Sequence, residues 1–154
     1  MEDDNKVIKD LEEKAYNFYK SDEYYISYLI IFSLLEGALR DFLKISPDVE
    51  ISFYNLIEKL KNFLETPPYK QPDISVKRII YILHQLRKVR NNIIHSLWQY
   101  GYKELNKKTK TLARKAFLTY ILNVEYLGTF NEEFEERWCI DYGVIGEVED
   151  WMTH

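Results

Sequence analysis

Between Arg90 and His95 the chain reads Arg-Asn-Asn-Ile-Ile-His, inside an apolar helical run from Asp73 to Leu97. A guanidinium, two carboxamides and an imidazole therefore fall within about one and a half helical turns. These groups suit chemistry at a phosphodiester. An imidazole, whose ordinary titration range lies near neutral pH, moves a proton to or from an oxygen. A guanidinium holds negative charge as it builds on phosphoryl oxygens. Asn91 and Asn92 can hydrogen-bond a phosphate or orient the imidazole. Arg87 and Lys88, one turn earlier, supply charge for binding an anionic substrate. Metal chemistry fits less well. The three histidines are His84, His95 and His154, and His84 and His95 lack a carboxylate on their own helix face. No metal or other cofactor is therefore expected.

Turning the helix by about 100° per residue separates these groups. Ile79, Ile82, Leu83, Leu86, Val89, Ile93, Ile94 and Leu97 make one broad apolar face. His84, Lys88, Asn91 and His95 line the other side. Arg90 falls among the apolar residues, about 140° from His95. A second charge sits in a similar place: Glu36 lies in the apolar pattern Tyr25, Leu29, Phe32, Leu35, Leu39, Leu43. Two unpaired buried charges would each be costly, so a Glu36–Arg90 ion pair is expected. It would either lock helix register or aim the arginine.

Five helices are expected to position these residues. They run from about Asn5 to Tyr19, Glu23 to Lys44, Phe53 to Leu64, Ile74 to Leu97 and Glu104 to Glu136. Ser21 or Asp22 is a candidate cap for the second, and Ser52 for the third. The Pro67–Pro72 stretch is the clearest break in the pattern, and Gly128 is a candidate bend in the last helix. The result is an all-α, up-and-down bundle over residues 1–136. Residues 137–154 are expected to form an irregular tail packed on the bundle or on a partner.

Composition sets the outer bounds. One domain fits 154 residues. A single cysteine, Cys139, excludes an internal disulfide and a cysteine-based zinc cluster. No basic region precedes an apolar segment near the start, and the apolar stretch Tyr24–Leu35 is too short for a bilayer span. A cytoplasmic protein without membrane contact is expected. Net charge of −4 argues against coating nucleic acid by bulk electrostatics. The charge is uneven, however: Lys103 to Lys115 holds five Lys and one Arg against Glu104, while Asn131 to Glu136 holds four Glu. Each run reads either as a solvated helix face or, for the basic one, as a surface beside a catalytic groove.

Arg90-Asn91, followed after three residues by His95, resembles the Arg-x(4–6)-His signature of the HEPN superfamily. Leu34-Leu35-Glu36-Gly37-Ala38-Leu39-Arg40 is similar to its acid-bearing early helix, and the helix order over residues 5–136 matches its bundle. The resemblance implies a metal-independent endoribonuclease acting as a homodimer, with a composite site where the fourth helices meet. His95 would then handle the proton of the ribose 2′-hydroxyl or the leaving 5′-oxygen, Arg90 would stabilise the transition state, and Asn91 would position phosphate. Glu36 and Asn92 would support them, and the product would be a 2′,3′-cyclic phosphate. Such proteins include toxins, paired with an antitoxin or other regulatory protein, and antiviral defence effectors. The toxin branch has a tyrosine two residues after the histidine, where this chain has Leu97. The alternative is a non-catalytic module of the same fold for dimerisation and nucleotide or protein binding. Trp98, Tyr100 and Tyr102 are candidate dimer anchors, with a core role for Trp98 as the other possibility.

Overall fold

A computed structural model describes residues 2–66, 74–95 and 97–140. The expected all-α bundle is observed. Its elements are α1 (Glu2–Lys20), α2 (Tyr24–Leu43), α3 (Phe53–Glu65), α4 (Ile74–Ile94), α5 (Leu97–Gly128) and α6 (Glu132–Trp138). The Pro67–Pro72 break and all of the tail beyond Ile140 lie outside the described residues.

α2 is the central helix, packed chiefly between α1 and α5 and also touching α3 and α6. Its buried line is Ile31, Leu35, Ala38, Leu39 and Phe42, with Tyr28 and Phe32 beside it. That line is rotated from the expected face, because Leu29 is 45% exposed. Glu36 points within about 20° of Leu29, so it leaves the core at the edge of the buried arc. α4 buries Val76, Ile79, Ile80, Leu83 and Leu86 against α3 and α5. Rings account for much of the remaining core. Phe32 packs at a tilt between Tyr28 and Phe53, at centroid distances of 5.6 and 4.8 Å. Phe42 meets Phe63 and Phe134 edge-on at 5.3 and 5.5 Å. Edge contacts of the Phe42 kind are a favoured geometry for aromatic pairs.

Helix ends follow local chemistry at some points and distant partners at others. Ser52 caps α3 as expected, accepting from the Asn55 N–H at 3.1 Å. Neither Ser21 nor Asp22 caps α2. The backbone at Asp22 takes a positive φ of 62°, and Asn106 of α5 fills the role instead. Its Oδ1 accepts from the Tyr25 N–H at 3.0 Å, and its Nδ2 donates to the Asp22 carbonyl at 2.7 Å. At the other end of α2, Lys44 adopts the left-handed conformation and Ile45 N–H reaches back to the Arg40 carbonyl at 2.8 Å.

The fifth helix begins earlier than expected and ends earlier as well. It starts at Leu97, is interrupted by Gly101 at φ 71° and ψ 171°, and stops at Gly128. Only glycine enters that backbone region freely. After Gly128 the chain turns, and Asn131 caps a separate α6 by accepting from the Phe134 N–H at 3.0 Å. Gly128 packs against Glu135 of α6, where a Cβ would make ordinary contact at 3.4 Å. α6 is then pinned by Asp41 of α2. One oxygen, Oδ2, accepts from Arg137 Nη1 at 2.6 Å and from the Trp138 indole at 2.7 Å. Asn5 of α1 adds a bond to the Arg137 carbonyl at 2.9 Å. Trp138 and Ile140 are buried, so the core extends past residue 136 into the start of the expected tail.

Candidate functional site at the end of α4

Arg90 continues the inner line of α4, pointing within about 40° of Ile79, Leu83 and Leu86. These three are buried, whereas Arg90, one turn nearer the helix end, is half-buried. Its long stem spans the gap to α2, and the guanidinium carbon lies 4.5 Å from the centre of the Phe32 ring. A cation over an aromatic face is held electrostatically, while its edges remain available to water or to an anion.

The expected Glu36–Arg90 ion pair is not formed. The Glu36 carboxylate instead faces Arg40 on its own helix at 3.9 Å, and the Glu36 side chain is 34% exposed. The reason is the rotation of the α2 face, which sends Glu36 toward solvent and puts Phe32 under Arg90. Glu36 still shares the neighbourhood. The Tyr28 phenol, buried beside Phe32, is pushed well above its ordinary ionisation range chiefly by burial. The charge of Arg90 opposes that shift, and Tyr25 and Glu36 add to it. Among the described residues, Tyr28 Oη has no hydrogen-bond partner.

Asn91, Asn92 and His95 lie on the outside of the helix end and are exposed. The His95 N–H donates to the Asn91 carbonyl at 3.2 Å, so the imidazole leaves from the last turn. Asn91 and His95 are one turn apart on a common face. The structure thus brings Asn91 to His95 and Arg90 to Phe32, and no hydrogen bond or ion pair joins Arg90 to His95. Lys88 is exposed and Arg87 half-buried. The Arg87 guanidinium lies 5.1 Å from the Tyr54 ring centre, and its Nε donates to His84 Nδ1 at 3.4 Å. An arginine nitrogen can only donate, so His84 Nδ1 is the acceptor and Nε2 carries the proton. That Nε2 meets Glu58 Oε1 at 3.1 Å.

Of the three aromatic residues near the junction of α4 and α5, two are engaged within the chain. Tyr102 Oη donates to Glu23 Oε2 at 2.8 Å, and its ring meets Tyr25 edge-on at 6.3 Å. Tyr100 lies under the Lys108 ammonium at 3.9 Å. Trp98 is 82% exposed and has no core role.

Sequence reasoning missed Phe32 and Tyr28 as neighbours of Arg90, and it missed the Glu58–His84–Arg87 chain. For the first, a signal existed: Tyr28, Phe32 and Glu36 recur every four residues on α2. Among the described residues, no group of three His, Cys, Asp or Glu side chains comes together to hold a metal ion. Nor is any helix among them long and apolar enough to cross a membrane. No protein-family model matches the chain, and neither does any curated protein or solved structure.

Proposed function

We propose that this chain is a metal-independent endoribonuclease of the HEPN type, working in the cytoplasm as a homodimer through the α4 region. The observation that carries this is the layout of the α4 end. A guanidinium is fixed over Phe32 on one side, while an amide and an imidazole stand exposed, one turn apart, on the other. The roughly 140° between Arg90 and His95 fits a site completed by two copies, each contributing groups to a shared cleft. His95 exchanges the proton of the 2′-hydroxyl or the 5′-oxygen, and Arg90 neutralises charge at phosphorus. Asn91 orients His95 or the phosphate, and Asn92 supports it. Lys88 and Arg87 hold flanking phosphates. Glu36 acts at one remove, through the field it shares with Arg90 and Tyr28. A toxin or antiviral role, restrained by an antitoxin or other regulatory protein, suits such an activity.

The deciding experiment incubates the purified protein with end-labelled RNA in EDTA. Cleavage giving 2′,3′-cyclic phosphate ends, and falling about 10²–10⁴-fold in His95→Ala, is expected. Intact RNA at high protein concentration refutes the activity and favours a binding module instead. Light scattering at micromolar concentration checks the dimer, and a monomer there refutes the shared cleft.

A further inference from the structure

Glu58, His84 and Arg87 form a hydrogen-bonded chain between α3 and α4 in which the proposed reaction gives the imidazole no part. Helix periodicity assembles it. His84 and Arg87 are three residues apart on α4, and Tyr54 and Glu58 four apart on α3, so each pair shares a face. Glu58 Oε1 lies 3.1 Å from His84 Nε2, with the side chains 35% and 19% exposed. The Tyr54 ring supports both α4 groups. Its centre is 5.4 Å from that of the imidazole and 5.1 Å from the Arg87 guanidinium carbon. Arg87 Nε donates to His84 Nδ1 over a long 3.4 Å. Among the described residues the imidazole has no further hydrogen bond, ion pair or ring contact, so α5, which also packs on α4, supplies none. The other charges on these two faces are Lys61 and Glu65 of α3, within about 60° of Glu58, and Lys77 and Lys88 of α4, within about 40° of His84.

A neutral imidazole has one lone pair, and here Nδ1 presents it to Arg87. A proton taken from solvent puts an N–H there, which turns the acceptor into a second donor and sets a positive charge beside the guanidinium. The bond to Arg87 cannot persist in that state. Nε2–H still donates to Glu58, and more strongly once the ring is charged. We propose that His84 is a positioning residue for Arg87. The neutral ring parks the guanidinium against Tyr54, and protonation releases it while Glu58 keeps the imidazole in place. The freed Arg87 stands one turn before Asn91 and about 40° round the axis from it, beside the face that carries His95. That it then serves a phosphate rests on the function proposed above; the switch itself does not.

Long-range proton–nitrogen correlation spectra of the isotopically labelled chain, followed from about pH 8 to about pH 5, test the switch. At the upper pH the His84 ring should carry its proton on Nε2 alone. As Nδ1 is protonated, the Arg87 Nε–H signal should move with the same midpoint as the ring nitrogens. His84→Phe keeps a ring against Tyr54 and removes the acceptor. Compared at one fixed pH above that midpoint, its Arg87 Nε–H should exchange with water roughly 10-fold faster than in the wild type. Glu58→Ala frees the ring to hold its proton on either nitrogen, so mixed tautomers and a partly released Arg87 are expected. The wild-type titration needs no substitution, so a folding defect in either variant cannot hide the answer. An Arg87 signal that ignores the His84 titration, a neutral ring protonated on Nδ1, or unchanged Arg87 exchange in His84→Phe overturns the proposal. Coupled His84 and Arg87 signals in a protein that leaves RNA intact would uphold the switch and sink the nuclease reading alone. Cleavage by a protein whose Arg87 is uncoupled from His84 would sink the switch alone.

Discussion

The contact between Arg90 and Phe32 can be measured by a double-mutant cycle. Arg90→Met keeps the length of the side chain and removes its charge. Phe32→Leu keeps an apolar group and removes the ring face. The guanidinium carbon stands 4.5 Å from the ring centre, with Phe32 buried and Arg90 half-buried. Cation–ring attraction runs from about 0.5–1 kcal/mol at exposed sites to about 2 kcal/mol when desolvated, so about 1 kcal/mol is expected here. Phe32→Leu alone also loosens the contacts to Tyr28 and Phe53, and it should lower stability by roughly 2 kcal/mol. That larger loss cancels in the cycle, leaving the pair's own coupling. Urea unfolding of the four proteins at 25 °C gives the values, provided the m-values agree. A parallel cycle with Glu36→Gln and Arg90→Met should give less than about 0.5 kcal/mol, as expected for groups that make no direct pair. A Phe32–Arg90 coupling near zero, or a Glu36–Arg90 coupling that exceeds it, would refute the placement of the guanidinium on the ring.

Three further predictions concern the frame around the site. Asp41→Ala removes the shared acceptor of Arg137 and the buried Trp138 indole, a loss of about 2–3 kcal/mol. Tm should fall by roughly 5–10 °C, and a change under about 1 °C would show that α6 docks without it. Gly101→Ala meets no atom within 4 Å, so its cost is backbone strain alone, about 1–3 kcal/mol. An unchanged denaturation midpoint would mean that the chain between α4 and α5 does not hold that conformation. Tyr24 is pushed up to about 12, first by burial and then by its hydrogen bond to Asp22, and Tyr28 and Tyr120 are also raised by burial. The folded state therefore keeps these protons where the unfolded chain, ionising near 10, gives them up. Stability should be full below about pH 10 and fall as pH rises toward 12. Denaturation midpoints that stay flat across that window would refute the raised values.

Helix type and number of long segments were legible because apolar periodicity is a local property. α1, α2, α3 and α4 fall within three residues of their expected bounds for that reason. Ser52 was legible too, since a cap three residues from its donor needs nothing from elsewhere. Asn106 was not. It caps α2 from 81 residues away, and no pattern in the sequence announces a partner at that distance. The split between α5 and α6 shows the same limit. Gly128 marked the place, but whether the helix bends or ends there depends on Asp41 accepting from Arg137 and Trp138 on another element.

The site divides along the same line. The angle between Arg90 and His95 follows from helix geometry, and it survives in the structure as one group turned inward and one outward. What lies against Arg90 does not follow from geometry of one helix. Both Glu36 and Phe32 lie on α2 four residues apart, about 40° around the axis. A rotation of α2 by that amount exchanges an ion pair for a cation over a ring. Burial decides between them. Placing Phe32 inside removes a large apolar surface from water, and leaving Glu36 at the rim avoids desolvating a carboxylate. An arginine held by a ring rather than by an acid keeps its hydrogen-bonding edges uncommitted. That is the state the proposed endoribonuclease function requires of it.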